Sequence, residues 1–289
     1  MIPALLQGLC DDAALFPPGN APMTDAVPAH SAHRAGALSP LVGPFIVPES
    51  RLTELAECAP GALDLSITFP QGPAAIGAAL DRAGEIDGVQ VVALEIASAA
   101  GQSADEFVSA VTGFGERLHG LDIFVEIPRD ERRPTFVDAV ADAGWYAKFR
   151  TGGVQAQAYP DEAELAAAIH RVVAAGVPFK ATAGLHHAVR NTDPTTGFEQ
   201  HGFVNLLLAT RDALAGATPA ALVPVLAERD GQALAGRLRE LGEPEVAELR
   251  RAFRSYGTCS IAEPVADLAA LGLLELDREL ASTLEGHAS

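Results

Sequence analysis

Tyr146-Ala147-Lys148-Phe149-Arg150-Thr151-Gly152-Gly153 and Val177-Pro178-Phe179-Lys180-Ala181-Thr182-Ala183-Gly184-Leu185-His186-His187 follow one plan. An apolar run leads in, a lysine sits within it, and small residues, glycine and polar groups follow. Each reads as a strand that ends in a loop. Between them Pro160-Asp161-Glu162 opens a helix over 162–175, with acidic residues in the first turn, where the helix dipole favours them, and Gly176 closes it. From Lys148 to Lys180 is 32 positions, one strand–helix unit. Parallel neighbours of this kind place both ammonium groups at one height, facing the same way.

The same alternation extends in both directions. Further strands are predicted at 13–16 (the weakest), 41–47, 63–69, 89–96, 123–127 and 253–256, and the two lysine strands span 145–149 and 179–183. A helix is predicted over 103–119. Eight such units favour a closed (β/α)8 TIM barrel, with an open doubly wound sheet as the alternative. The rhythm breaks between strands seven and eight. There, 188–250 reads as a helical insertion: a polar, turn-rich stretch, then helices at 203–214, 219–227, 231–241 and 244–252. Long loops at the C-terminal face of barrel strands commonly carry function, so these helices are expected to cover an active site. No repeat or linker divides the chain, which reads as a single domain over 1–289.

Composition narrows the function classes. With 48% hydrophobic and 20% charged residues the chain is globular, and 289 residues suit one α/β barrel with extra helices. A net charge of −18 repels phosphate backbones, so nucleic acid is not an expected partner. No apolar run approaches the roughly 20 residues that span a bilayer, so no membrane is expected either. Met1-Ile2-Pro3-Ala4-Leu5-Leu6-Gln7 lacks the basic start of a secretory signal, which points to the cytoplasm. Cys10, Cys58 and Cys259 are too scattered for a disulfide framework or a zinc site. The expected partner is a small-molecule substrate, with no cofactor and no metal; a homo-oligomer stays open.

The chemistry expected of two such lysines is specific. Burial disfavours the charged form of a lysine and lowers its pKa, and a second ammonium nearby lowers it further. A neutral amine attacks a carbonyl to form a Schiff base, whose iminium is an electron sink for making or breaking a C–C bond. The alternative is that the lysines pair with Glu95 or Glu126. Each of these carboxylates lies within or at the end of a strand and needs a cation or a donor; each reads equally as a proton carrier or as a salt-bridge partner.

These motifs resemble a known family. Lys148 to Gly152 is similar to the Lys-Thr-Ser-Thr-Gly motif of deoxyribose-phosphate aldolases, and Lys180 to Gly184 to the Lys-Ala-(Ala/Ser)-Gly-Gly motif on the next strand. Tyr256-Gly257-Thr258-Cys259-Ser260 resembles the final-strand Gly-Thr-Ser-Ser that binds substrate phosphate. Asp122-Ile123-Phe124-Val125-Glu126 resembles the fifth strand. The resemblance, confined to strands five to eight, implies a barrel of the class I aldolase superfamily and metal-free aldol chemistry. It makes Lys148 the Schiff-base lysine and Lys180 the neighbour that depresses its pKa. The chain departs from the pattern at Arg150, where the family has a small hydroxyl residue, at His186, where it has arginine, and at Ala183, where it has glycine. Glu95 is the nearest match to the fourth-strand aspartate, and the 188–250 insertion is foreign.

Other residues complete the candidate site. Arg150, Thr151, Gly152, Thr182, Gly184, His186 and His187 are candidates for holding substrate or an anion. Gly257, Thr258 and Ser260 precede a helix start and read either as an anion pocket or as an ordinary capped turn. His186, His187, Glu199 and His201 are rich enough in ligands to raise a metal, but adjacent histidines on an extended chain point apart. Near the N-terminus Asp11-Asp12 and Pro17-Pro18-Gly19-Asn20 read as a structural rim. The leading function is an aldolase-type lyase acting on a small, anionic carbonyl compound. The alternatives are a barrel isomerase, decarboxylase or transferase without an imine, and a non-catalytic ligand-binding barrel.

Overall fold

In the computed structural model, which describes residues 2–275, eight parallel strands close into a barrel. They are β1 (Cys10–Asp12), β2 (Val42–Pro48), β3 (Leu63–Phe69), β4 (Val89–Ala97), β5 (Asp122–Glu126), β6 (Tyr146–Arg150), β7 (Phe179–Thr182) and β8 (Phe253–Thr258). Each pairs with its sequence neighbour, and β1 closes the ring against β8. The helices are α1 (Met23–Ala35), α2 (Leu52–Glu57), α3 (Ile76–Gly84), α4 (Ala104–Thr112), α5 (Arg133–Asp142), α6 (Glu162–Ala174), α7 (Phe203–Leu214), α8 (Pro219–Ala227), α9 (Gly231–Arg239), α10 (Glu243–Ala252) and α11 (Ala262–Ala270). A two-residue hairpin, Asn191–Thr192 with Glu199–Gln200, lies in the β7–α7 connection. The ends of the expected 1–289 domain lie outside the described residues.

The alternation of side chains along each strand sets what faces where. On β6 and β7 the aromatic residues Phe149 and Phe179 pack against each other with ring centroids 5.4 Å apart, and Phe179 also meets Phe253 of β8 at 5.1 Å. These rings sit with the helices in the hydrophobic core. The intervening Lys148 and Lys180 therefore face the barrel interior, paired in register. A register shift on β8 between Phe253 and Tyr256 keeps both aromatics on the outer side, where Tyr256 stacks on Phe203 of α7 at 4.9 Å.

Three expectations are corrected. The first strand is Cys10–Asp12, not 13–16: Cys10, Asp11 and Asp12 pair with Tyr256, Gly257 and Thr258, and Ala13–Phe16 starts the following loop with a Phe16 N–H to Ala13 carbonyl bond. Consecutive acids are poor strand formers in isolation, and here buried partners offset that cost. Asp11 meets Lys180 and Ser255, while Asp12 meets His30 of α1 at 3.0 Å. The 103–119 helix stops at Thr112. Ser103 caps α4 in a reciprocal box with Glu106, and Gly115, at φ +55°, diverts the chain into a separate short turn.

The helices of 188–250 do not cover the mouth. α7 packs on α6 and β8, α8 on α6 and α7, and α10 on α7, β8 and the turn Ala4–Leu6 that precedes β1. They clad the outer wall and the N-terminal end of the strands. Their apolar faces find the barrel flank, which leaves the C-terminal mouth to shorter loops.

Candidate active site

A cavity of about 250 Å³ opens at the C-terminal ends of the strands. Glu95, Glu126, Lys148, Arg150, Thr182, Gly184, His186 and Gly257 line it, joined by Thr68, Phe69 and Cys259, and by Phe16 and Pro17 from the β1–α1 loop. The strand register explains the convergence. Lys148 is level with Glu126 and Lys180; Arg150 is level with Thr182, which is level with Gly257. All point inward from four neighbouring strands.

Beneath this lining lies a buried ionic cluster. Lys180 Nζ donates to Asp11 Oδ2 at 2.5 Å and to Glu95 Oε1 at 2.6 Å, and lies 5.1 Å from the centre of the Phe124 ring. Lys148 Nζ sits 3.3 Å from Glu95 Oε2 and 3.2 Å from Glu126 Oε2. Glu126 also meets Arg150 at 3.4 Å. Ser255 donates to Asp11 at 2.6 Å and Ser66 to Glu95 at 3.0 Å. Three cations thus face three carboxylates, and the buried lone pairs are shared with hydroxyls, the condition under which charge is tolerated away from water.

The two lysines are unequal. Lys148 reaches the cavity; Lys180 does not line it and is sealed below at 1% exposure. The spacing predicts amines pushed toward neutrality by each other. Around Lys180, burial does push the amine down, but Asp11 and Glu95 outweigh it and hold the amine above the ordinary lysine value. Burial drives the Asp11 carboxyl up, against the pull of Lys180 and Ser255. Burial likewise opposes ionisation of Glu95, but Lys180 and Lys148 prevail and bring it down to about 2. Lys148 and Arg150 similarly overcome burial and keep Glu126 below the usual carboxylate range.

The Glu95 shift carries a sign. A carboxylate whose folded pKa is depressed contributes stability that is fully present above its unfolded value near 4.5 and is lost as pH falls toward 2. Chemical denaturation between pH 5 and 2.5 (roughly the window these values set) is therefore expected to show a steep stability loss that is flatter in Glu95→Gln. Equal slopes would place the acid-sensitive group elsewhere.

The remaining candidates have other partners. Thr151 is buried and donates to the carbonyl of Ala183 at 2.7 Å, tying the β6 loop to the β7 loop. Gly152 is where those loops touch: a Cβ there would stand 2.8 Å from Gly184 Cα and 2.8 Å from the Tyr159 ring. His187 points out to Asp267 at 3.1 Å. Thr258 donates to the Ser260 carbonyl at 2.9 Å, and Ser260 Oγ accepts from Glu263 N–H at 3.3 Å, so both organise the start of α11. His201 is buried against the Pro160 carbonyl at 2.8 Å; burial and the Arg190 charge hold it down to about 4. Glu199 pairs with Arg190 and Arg229. His186, His187, Glu199 and His201 thus go separate ways, and among the described residues no three His, Cys, Asp or Glu side chains form a metal-binding group. Asn20, with φ +46°, donates to the Pro18 carbonyl at 3.3 Å, within the rim.

Sequence reasoning read Asp11 as part of a structural rim and passed over Ser66 and Ser255; the role of each depends on a partner on another strand. It also passed over a countable signal. Lys148 and Lys180 are the only two lysines of the chain, all other basic side chains being arginine or histidine.

No protein-family model and no curated protein matches the chain. Solved structures do. The deoxyribose phosphate aldolase of Aeropyrum pernix, described as having a unique tetrameric structure, is 16% identical, with 78% of this chain and 91% of that chain covered at a TM-score of 0.45. The dihydrodipicolinate synthase of Thermotoga maritima is 13% identical, covering 93% of this chain and 100% of that one at 0.35. The nitroalkane oxidase of Streptomyces ansochromogenes is 14% identical, covering 98% and 100% at 0.38. The barrel itself rests on the strand pairing of this chain. Among the described residues no helix is long and apolar enough to cross a membrane.

Proposed function

We propose that the protein is an aldolase-type lyase that forms a Schiff base between Lys148 and a small, anionic carbonyl compound. One observation carries the reading: of the only two lysines in the chain, one presents its amine to the cavity while the other is locked beneath it as a cation. A chain that uses arginine for nearly all its surface cations, yet keeps two amines inside the barrel, keeps them for something arginine does not do. Arginine is not nucleophilic at neutral pH; an amine is.

The roles follow from position. Lys148 Nζ attacks the carbonyl carbon, and Glu126, 3.2 Å away and ionised, accepts the proton the nitrogen releases. Glu126 returns that proton to the carbinolamine hydroxyl and water leaves. The Cα–Cβ bond then breaks, its electron pair moving toward the iminium to form an enamine, while the β-hydroxyl gives its proton to Glu126 and becomes the carbonyl of the released aldehyde. Glu95 bridges both lysines and fixes their separation. Arg150, at the rim and 44% exposed, supplies positive charge where an anionic group enters, with Thr182 and the Gly184 and Gly257 turns beside it.

The test is borohydride trapping with a panel of short hydroxyaldehydes and ketoacids, read by peptide mass spectrometry. A reduced adduct on Lys148 is the expected result. Adducts on no internal lysine, across the panel, overturn the imine. A second reading is favoured by the placement of Lys148 between two carboxylates, as suits an ion-paired ammonium. Here Lys148 would bind an anion without condensing with it, and Glu126 would act as base in an isomerase or decarboxylase. Turnover that tolerates Lys148→Arg but is lost in Glu126→Ala selects it.

A further inference from the structure

At the rim of the cavity Cys259, His186 and Glu263 form a chain. Cys259 Sγ is 3.5 Å from His186 Nδ1, and that same nitrogen is 3.4 Å from Glu263 Oε2. Cys259 and His186 both line the cavity, while Glu263 lies on α11, half exposed. The thiol is two residues beyond Gly257, the register partner of Thr182, and so stands above the level of Arg150 and Thr182. The lysines lie one inward-facing position below that level. The cavity therefore has an amine toward its floor and a thiol at its mouth, each beside its own ionic partners.

We propose that Cys259 is a second covalent site of the cavity, a thiolate paired with the His186 imidazolium that adds reversibly to the aldehyde carbon of short hydroxyaldehydes. A sulfur lone pair forms the S–C bond, the C=O π pair moves to oxygen, and the His186 Nδ1 proton goes to that oxygen. The product is a hemithioacetal; nothing is oxidised or reduced, and reversal returns the aldehyde. Burial opposes charge on His186, but its contacts with Cys259 and Glu263 raise it to about 10, so the proton is in place at neutral pH. Titratable groups beside this pair include His187 and Asp193 in the β7–α7 connection, and Asp267 of α11, which holds His187. The Pro17–Gly19 turn packs over the thiol without a charge; a Cβ on Gly19 would stand 3.0 Å from Cys259 Cβ. The choice of aldehyde rests on the proposed function. The thiol chemistry does not.

The experiment uses the full chain carrying Lys148→Met, so that no imine at that position shields the thiol. Iodoacetamide alkylation of Cys259 is followed by peptide mass spectrometry against pH, with and without glycolaldehyde. At pH 7 alkylation of Cys259 is expected to run at least about tenfold faster than that of Cys58, as for a thiol held beside an imidazolium. Glycolaldehyde is expected to slow alkylation of Cys259 at least fivefold, reversibly on dilution, and to leave the partly exposed Cys58 unchanged. His186→Gln is expected to slow Cys259 alkylation at least about fivefold; Glu263→Gln, which removes the second partner of the same imidazole nitrogen, slows it less. An alkylation rate no higher than that of Cys58 with His186 in place, or no protection by glycolaldehyde, overturns the proposal. Failure of borohydride trapping at Lys148 leaves this result standing, and the reverse holds.

Discussion

A Lys180→Met variant is expected to lose roughly 3–5 kcal/mol of folding stability, the usual cost of stranding buried charge by removing one partner. In a domain of this size that is a fall in melting temperature on the order of 10 °C. Lys180 is the group that lets Asp11 and Glu95 share the barrel interior, with both carboxylates at 2.5–2.6 Å from its amine. Methionine matches the stem and removes the charge, leaving those carboxylates with Ser255, Ser66 and Lys148 alone. The interpretation is checked by neutralising the whole group. Lys180→Met with Asp11→Asn and Glu95→Gln is expected to recover more than half of the loss, because an uncharged interior of the same shape has no ion to strand. Thermal or urea unfolding of both variants decides it. A triple variant less stable than the single one would mean that the pairing itself, not the stranding of its partners, stabilises the barrel.

Lys148→Met is expected to do the opposite: to fold nearly as well and lose the chemistry. Its amine is the one that reaches the cavity, and its partner Glu126 remains within reach of Arg150. Carbonyl trapping on the chain should vanish, and turnover of whichever substrate the panel identifies should fall by about 10³-fold or more, as for loss of a covalent nucleophile. The contrast between the two lysine variants is the informative quantity. If both lose stability and activity alike, the unequal roles assigned to the cavity amine and the sealed amine are wrong.

Much of this was readable from residues alone, because it is local. Lys148 and Lys180 share a strand context and a spacing of one βα unit, and such spacing implies the register the barrel shows. Glu95 and Glu126 declared themselves as acids within apolar runs. What was not readable is contact across the ring. Asp11 looks like a loop residue until Lys180, 169 positions away, supplies its countercharge. Helices α7–α10 carry enough apolar surface to announce that they pack, but apolar surface does not say against which end of a barrel. Thr151 and Gly152 belong to the lysine motif, yet their polar and steric capacity is spent on joining two loops.

β1 is three residues long, and its two neighbours arise near opposite ends of the chain, at Val42–Pro48 and Phe253–Thr258. Ser255 reaches Asp11 across a separation of 244 positions. During synthesis the first strand emerges with half its edge unpaired and an acidic side chain that has no cation until β7, and no hydroxyl until β8, has left the ribosome. Such long-range closure is slow in general. The interior of this barrel is thus completed only when the last strand docks, and the cavity at its mouth takes shape at the same moment as the fold.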